Sequence, residues 1–215
     1  MTAAGLAPRV ALIVITDPDC GGRAVVDVVC AALRAGAPSI QLRGKDQPAR
    51  EQVELARALR AETRAAGALL WVNDRLDVAL TAGADGVHLG QDDLPLEAAR
   101  RIVPAGFLIG ISAETAELAL AAERGGADYV GTGPVYATGS KADAGDAVGC
   151  ERITEVARAV RIPVVGIGGI GAANAGEVVR AGAAGVAVIS AVMRAPDPEA
   201  ATRELLRAVA EGSHG

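Results

Sequence analysis

The chain predicts an α/β fold: a single (β/α)8 TIM barrel with parallel strands, one domain over residues 1–215. Three observations carry this. Short apolar runs alternate with helical stretches eight times along the chain. The runs are continuously apolar, as in strands covered on both faces. A two-strand unit also recurs four times. Ala35-Gly36-Ala37, Ala82-Gly83-Ala84, Gly125-Gly126-Ala127 and Ala181-Gly182-Ala183 each close a helix, and each is followed by a strand opening Ser-Ile, Gly-Val, Tyr-Val or Gly-Val. Four such units make an eight-stranded barrel. The alternative is a doubly wound open sheet, but the glycine fingerprint expected after its first strand is absent.

Ala11 to Asp17 reads as the first strand, followed by a helix from about Arg23 to Ala35 that Gly36 ends. The second strand starts at Pro38-Ser39-Ile40 and runs through Gln41-Leu42-Arg43-Gly44-Lys45. Asp46 and Gln47 offer an N-cap before Pro48, a favoured first helical residue. From there to Ala66, Val53, Ala56, Leu59 and Thr63 recur at steps of three and four, an amphipathic helix stopped by Gly67. Leu69 to Val72 is a strand ending in Asn73-Asp74, and a short helix runs to Ala82. Gly86 to Gly90 is a strand with Gln91-Asp92-Asp93 at its exit, and Pro95 opens a helix that ends before Pro104. Leu108 to Ser112 is a strand, Thr115 to Arg124 a helix and Tyr129 to Gly133 a strand. Val135 to Gly149 is the one long loop. Cys150 to Ala159 is helical, Pro163 to Ile167 a strand leading into Gly168-Gly169, and Ala173 to Ala181 a helix. Gly185 to Ser190 is the last strand and Pro198 to Glu211 the last helix, with 212–215 a frayed tail.

Composition narrows the partners. With 215 residues, 51% of them hydrophobic, one large core is expected. A net charge of -5 does not suggest a nucleic-acid or anionic-membrane surface. Aromatic residues are only 2%, so the core is expected to be Ala, Val, Leu and Ile, and a planar ligand to be held mainly by hydrogen bonds. Cys20, Cys30 and Cys150 are scattered and read as free thiols in a reducing compartment. There is no export signal or long apolar run, so a cytoplasmic location is expected. The partners expected are small molecules, and nothing points to an oligomeric state.

In such a barrel the chemistry lies at the C-terminal ends of the strands. The polar residues there are Asp17, Arg43 and Lys45, Asn73 and Asp74, Gln91 and Asp93, and Ser112, and the long loop adds Thr138, Ser140 and Lys141. On a strand, Gln41, Arg43 and Lys45 share one face. Two cations side by side need something negative between them, either a protein carboxylate or an anionic ligand; an edge strand with a solvated face is the bland alternative. Gly168-Gly169 and Ile189-Ser190 lie where barrels bind phosphate, since glycines permit close backbone approach and a helix start offers N–H groups. Asp74 and Asp93 leave adjacent strands. They suit Mg²⁺, which takes one or two carboxylates plus substrate phosphates, unless they merely cap helices. His88, flanked by Val87 and Leu89, reads as a hydrogen-bonded interior residue, and no Ser-His-Asp or Cys-His arrangement can be assembled. Together these residues describe a phosphate on one side of the site and a Mg²⁺-bound diphosphate on the other.

The chain resembles the thiamine-phosphate synthase family over nearly its full length. The motifs are Gln41-Leu42-Arg43-Gly44-Lys45-Asp46, Val72-Asn73-Asp74-Arg75, Gly83 through Asp93, Gly110-Ile111-Ser112, Gly126 through Val135, Val165 through Ile170 and Val186 through Ala191. The resemblance implies that 4-amino-5-hydroxymethyl-2-methylpyrimidine diphosphate loses pyrophosphate. The nitrogen of a thiazole phosphate, or of its carboxylated form, takes its place to give thiamine phosphate. By the same resemblance, Gln41, Arg43, Lys45 and Asn73 bind the pyrimidine diphosphate, and Asp74 and Asp93 hold Mg²⁺. Ser112 and Lys141, with Arg43 and Lys45, assist the departing pyrophosphate. Thr138 and Ser140 contact the thiazole, and Gly169, Ile189 and Ser190 hold its phosphate. The chain departs from the family at Gly44, where Glu is frequent, and at Ser140, where Thr is. Gly44 is expected to face away from the site, and Ser140 keeps the hydroxyl.

Three other functions use the same barrel. A thiazole tautomerase needs only the thiazole-phosphate half of the site. A non-catalytic phosphate-binding barrel leaves the clustered acids and cations unexplained. A sugar-phosphate isomerase or epimerase would need a base such as Asp17, but not the cations of the second strand.

Overall fold

The computed structural model describes residues 2–45, 47–140 and 145–213. Asp46, one of the two expected caps, and Lys141 lie outside the described residues. In chain order the elements are α1 (Ala3–Leu6), a 3₁₀ turn (Ala7–Val10), β1 (Leu12–Ile15), α2 (Val25–Arg34), β2 (Ser39–Leu42), α3 (Ala49–Ala66), β3 (Leu69–Asn73), α4 (Leu76–Ala82), β4 (Gly86–Leu89) and α5 (Leu96–Ile102). There follow β5 (Leu108–Ser112), α6 (Ala116–Arg124), β6 (Tyr129–Thr132), α7 (Gly149–Ala159), β7 (Val164–Ile167), α8 (Ala172–Arg180), β8 (Gly185–Val188), α9 (Ser190–Met193) and α10 (Pro198–Ser213). Each strand pairs in parallel with the next, and β8 closes on β1 through Leu12↔Val186 and Val14↔Val188. This is the predicted (β/α)8 barrel; the open sheet is excluded by that closure. Among the described residues, no helix is long and apolar enough to cross a membrane.

The repeated Ala-Gly-Ala stops have a clear physical use. Gly83 ends α4 in the left-handed region at φ 68, its N–H bonded to the carbonyl of Leu80. The Asp that follows two of the repeats then fixes the N-terminal end of the barrel. The Asp85 carboxylate accepts from the Leu70 N–H at 2.8 Å and pairs with Arg60 of α3 at 2.7 Å. Asp128 does the same with the Ile109 N–H at 2.7 Å and with Arg100 of α5. The lead segment plugs this end, with Leu6 and Val10 buried and the Arg9 carbonyl accepting from Ser39 Oγ at 2.6 Å.

Four expectations are corrected. The core is not Ala, Val, Leu and Ile alone: Trp71 and Tyr129 are buried inside the barrel, edge to face with centroids 5.0 Å apart. Glycines on neighbouring strands make this possible. A Cβ on Gly86 would lie 2.6 Å from the Trp71 ring, and one on Gly110 2.1 Å from Tyr129. Strand β2 ends at Leu42, so Arg43 and Lys45 stand on the exit loop and do not share a strand face with Gln41. Pro48 takes the N-cap position of α3 without a side-chain cap. Gln52 takes over the local hydrogen bonding instead, its Nε2 donating to the carbonyls of Gly44 (2.8 Å) and Gln47 (2.9 Å). At the other end of the chain α10 runs to Ser213, two residues past the expected end. Gly212 is buried there against Gly176 of α8, where a Cβ would meet the Gly176 carbonyl at 2.6 Å.

Candidate active site

A cavity of about 970 Å³ opens at the C-terminal ends of the strands. Its wall contains Arg43, Lys45, Asn73, Asp74, Asp93, Ser112, Thr138, Ser140, Gly169, Ile189 and Ser190, so residues far apart in the sequence converge as expected. Gln41 does not line it. It is buried deeper in the barrel, beside Tyr129.

The cationic side is positioned by backbone hydrogen bonds. Thr16, just beyond β1, accepts from the Arg43 N–H through Oγ1 at 3.0 Å, and its own N–H donates to the Gln41 carbonyl at 2.9 Å. Gln52, 4% exposed, holds the next turn by the two carbonyls named above. Gly44 points away from the cavity, as expected, but the strand has already ended there. A Cβ on it would lie 2.6 Å from Gln47 Oε1.

Asp74 follows directly on β3, its N–H donating to the His88 carbonyl at 2.8 Å. Its φ is 64, the left-handed region that side-chain-bearing residues adopt at a cost. Asp93 Oδ2 accepts from the Gly90 N–H at 2.6 Å. The helix-cap explanation fails for both, because α4 is capped at Arg75 and α5 at Pro95, neither through a side chain. Among the described residues, no group of three or more His, Cys, Asp or Glu could hold a metal ion. Two carboxylates facing one cavity beside two cations fit a hard divalent cation whose remaining ligands are waters and substrate oxygens. They do not fit a closed all-protein metal cage.

On the opposite side, Ser140 Oγ donates to Ser190 Oγ at 3.2 Å, joining the long loop to the turn after β8. Gly168 and Gly169 have φ 97 and 64. Their missing side chains serve a nearby segment: a Cβ on Gly168 would meet Pro134 at 2.5 Å, and one on Gly169 the Ala137 carbonyl at 2.6 Å. Asn174 fixes this turn, accepting from the Gly171 N–H at 2.8 Å and donating to the Gly169 carbonyl at 3.1 Å. Tyr136 ties the same segment to α8, its hydroxyl donating to Glu177 at 2.9 Å.

His88 is half-buried in the cavity wall. Its Nδ1 is 2.7 Å from the Tyr129 hydroxyl and its Nε2 3.0 Å from Ser112 Oγ. Burial pushes the Tyr129 phenol far above its ordinary pKa, partly offset by the neighbouring Gln41 amide. Glu114 and Arg194 also line the cavity and were not expected. Arg194 ends the single turn α9 and pairs with Asp19 at 3.0 Å, an arrangement with no local sequence signal. Asp17, the base an isomerase would need, is not in the wall; it is buried in its own loop, accepting from the Asp19 N–H at 2.8 Å.

Comparison with known proteins agrees with this geometry. A family model described as thiamine monophosphate synthase matches residues 12–192. The chain is 57% identical over 199 residues to a thiamine-phosphate synthase of Roseiflexus castenholzii, covering 92% of this chain and 87% of that one. It is 52% identical over 197 residues to one of Moorella thermoacetica, covering 92% and 94%. Among solved structures, a thiamine phosphate pyrophosphorylase of Pyrococcus furiosus superposes with a TM-score of 0.89 at 45% identity, covering 97% of this chain and 99% of that one. By its sequence, its barrel and its relatives, this chain belongs to the thiamine monophosphate synthase family.

Proposed function

We propose that the chain is a thiamine-phosphate synthase, a transferase of thiamine biosynthesis. It would join 4-amino-5-hydroxymethyl-2-methylpyrimidine diphosphate to a thiazole phosphate and release pyrophosphate. The observation that carries the reading is the two-sided cavity. One side gathers Arg43, Lys45, Asn73, Asp74, Asp93 and Ser112, and the other Thr138, Ser140, Gly169, Ile189 and Ser190.

The chemistry asks little covalent work of the protein. The bond from the pyrimidine methylene to the diphosphate oxygen breaks, and its electron pair leaves with pyrophosphate. The pyrimidine amino group donates into the ring and stabilises the cation left at the methylene. The thiazole nitrogen then supplies the pair for the new C–N bond. Arg43 and Lys45 face the charge that grows on the leaving group, and Ser112 adds a neutral donor. Such preorganised donors act on the transition state without reorganising. Lys141, outside the described residues, is assigned to the same task by family resemblance. Held by Asp74 and Asp93, Mg²⁺ would neutralise diphosphate charge and so improve the leaving group. Ser140, Ser190 and the Gly169 turn would hold the thiazole phosphate, with Thr138 beside the ring, so that positioning supplies much of the rate.

The test is one incubation with Mg²⁺ and both substrates, following thiamine phosphate and pyrophosphate by mass spectrometry, alongside Asp74→Ala. Product from the parent and little from the variant supports both the reaction and the metal assignment. Absence of product from the folded parent, with both substrates bound, refutes the reading in favour of a tautomerase or a binding barrel.

A further inference from the structure

A run of hydrogen bonds crosses the barrel below the mouth of the cavity, and the reaction as written gives its inner members, Tyr129 and His88, no task. It links Tyr129 on β6, His88 on β4 and Ser112 on β5, with Gln41 of β2 beside Tyr129. Gln41 is 3% exposed and Tyr129 1%, so water does not compete at that end.

Such a run has a polarity, because each hydroxyl and a neutral imidazole have one proton to give. Tyr129 decides the direction. Its hydroxyl is buried, so its proton must go to an acceptor within the protein, and among the described residues the hydrogen-bond acceptor in reach is His88 Nδ1, 2.7 Å away. An imidazole that accepts at Nδ1 carries its proton on Nε2. That proton is donated to Ser112 Oγ at 3.0 Å. The Ser112 hydroxyl therefore has its own proton to give, and the residue lines the cavity. Its backbone is held as well, the Ser112 carbonyl accepting from Gln91 Nε2 at 2.6 Å. The reverse polarity would turn oxygen lone pairs toward an anion.

We propose that Tyr129 and His88 are positioning residues that fix Ser112 as a hydrogen-bond donor toward the departing pyrophosphate. The role of the anion rests on the activity proposed above; the polarity of the run does not.

Two measurements test it. The chain has only two histidines, His88 and His214, so ¹⁵N-histidine NMR is readily assigned by comparison with His88→Gln. At pH 8, with inorganic pyrophosphate and Mg²⁺ added, His88 should carry its proton on Nε2 with Nδ1 bare. A proton on Nδ1 overturns the proposal. The second measurement is a double-mutant cycle under single-turnover conditions. Tyr129→Phe keeps the ring between Trp71 and Gly110 and removes only the hydroxyl. It should slow turnover about tenfold while leaving the KM for the thiazole phosphate unchanged. In a Ser112→Ala background the same change should cost less than about twofold, because its target is gone. Equal losses in both backgrounds, or an unslowed Tyr129→Phe, overturn the proposal. His88→Gln repeats the cycle should Tyr129→Phe fail to fold by thermal melting. A parent that forms no thiamine phosphate refutes the activity instead, and the NMR result still judges the polarity.

Discussion

Replacing Asp74 by glycine should give a more stable protein than replacing it by alanine, although both variants lose turnover. Among the described residues, Asp74 is the one non-glycine with a positive φ, at 64. A side chain in that region costs roughly 1–2 kcal/mol, which alanine keeps and glycine loses. Glycine's extra freedom in the unfolded chain takes back about 0.5–1 kcal/mol. The net difference is about 1 kcal/mol in favour of glycine, or roughly 2–4 °C in melting temperature for a chain of this length. Whatever contacts the carboxylate makes are lost equally in both variants and cancel in the comparison. The backbone bond from the Asp74 N–H to the His88 carbonyl survives in both. Turnover should fall by about 10²–10³-fold in each, the scale seen when one preorganised electrostatic group is removed. Thermal unfolding of the two proteins side by side, with thiamine phosphate formation assayed on the same samples, is sufficient. Equal melting temperatures, or a less stable glycine variant, would refute the strain argument. A glycine variant turning over at the parent rate would refute the role of the carboxylate.

Asp128→Asn should cost about 1–2 kcal/mol of stability, since it removes the charge facing Arg100 in a partly solvated pair. Turnover per folded molecule should not change, because Asp128 lies at the opposite end of the strands from the cavity; denaturant unfolding and an activity titration check both. Gln52→Leu should raise the KM for the pyrimidine diphosphate about tenfold through loosened positioning of Arg43 and Lys45, with a smaller effect on kcat. An unchanged KM in steady-state kinetics would count against that assignment. Excess chelator should abolish product while circular dichroism stays unchanged, and added Mg²⁺ should restore it; full activity in chelator would exclude the metal role of Asp74 and Asp93.

The barrel was legible because its signals are local: glycine stops at φ > 0 and strands apolar on both faces are written in consecutive residues. Most of the candidate site was legible for the same reason, since polar residues at strand exits, Asp17 excepted, gather at the open end of the barrel. What escaped depends on register. Nothing within Gln41 to Lys45 says that the ladder stops at Leu42, so Arg43 and Lys45 read as a continuing strand face. Gln52 reads as one more polar residue of an amphipathic helix until the carbonyls of Gly44 and Gln47 arrive beside it. Trp71 and Tyr129 fill the barrel only because Gly86 and Gly110 stand opposite them on neighbouring strands. The group of Gln41, Tyr129, His88 and Ser112 is the extreme case. Taken singly, its members are an amide on an apolar strand, a tyrosine at a strand start, a histidine between two aliphatics and a serine at a strand end. Each admits an ordinary interior explanation. Closure of the sheet brings Tyr129, His88 and Ser112 within hydrogen-bond reach, with Gln41 beside Tyr129, and the polarity proposed above depends on that packing. The residues that sequence motifs mark are therefore mostly those that line the cavity, while the proposed orienting groups lie one layer lower, and their meaning appears only once the barrel is closed.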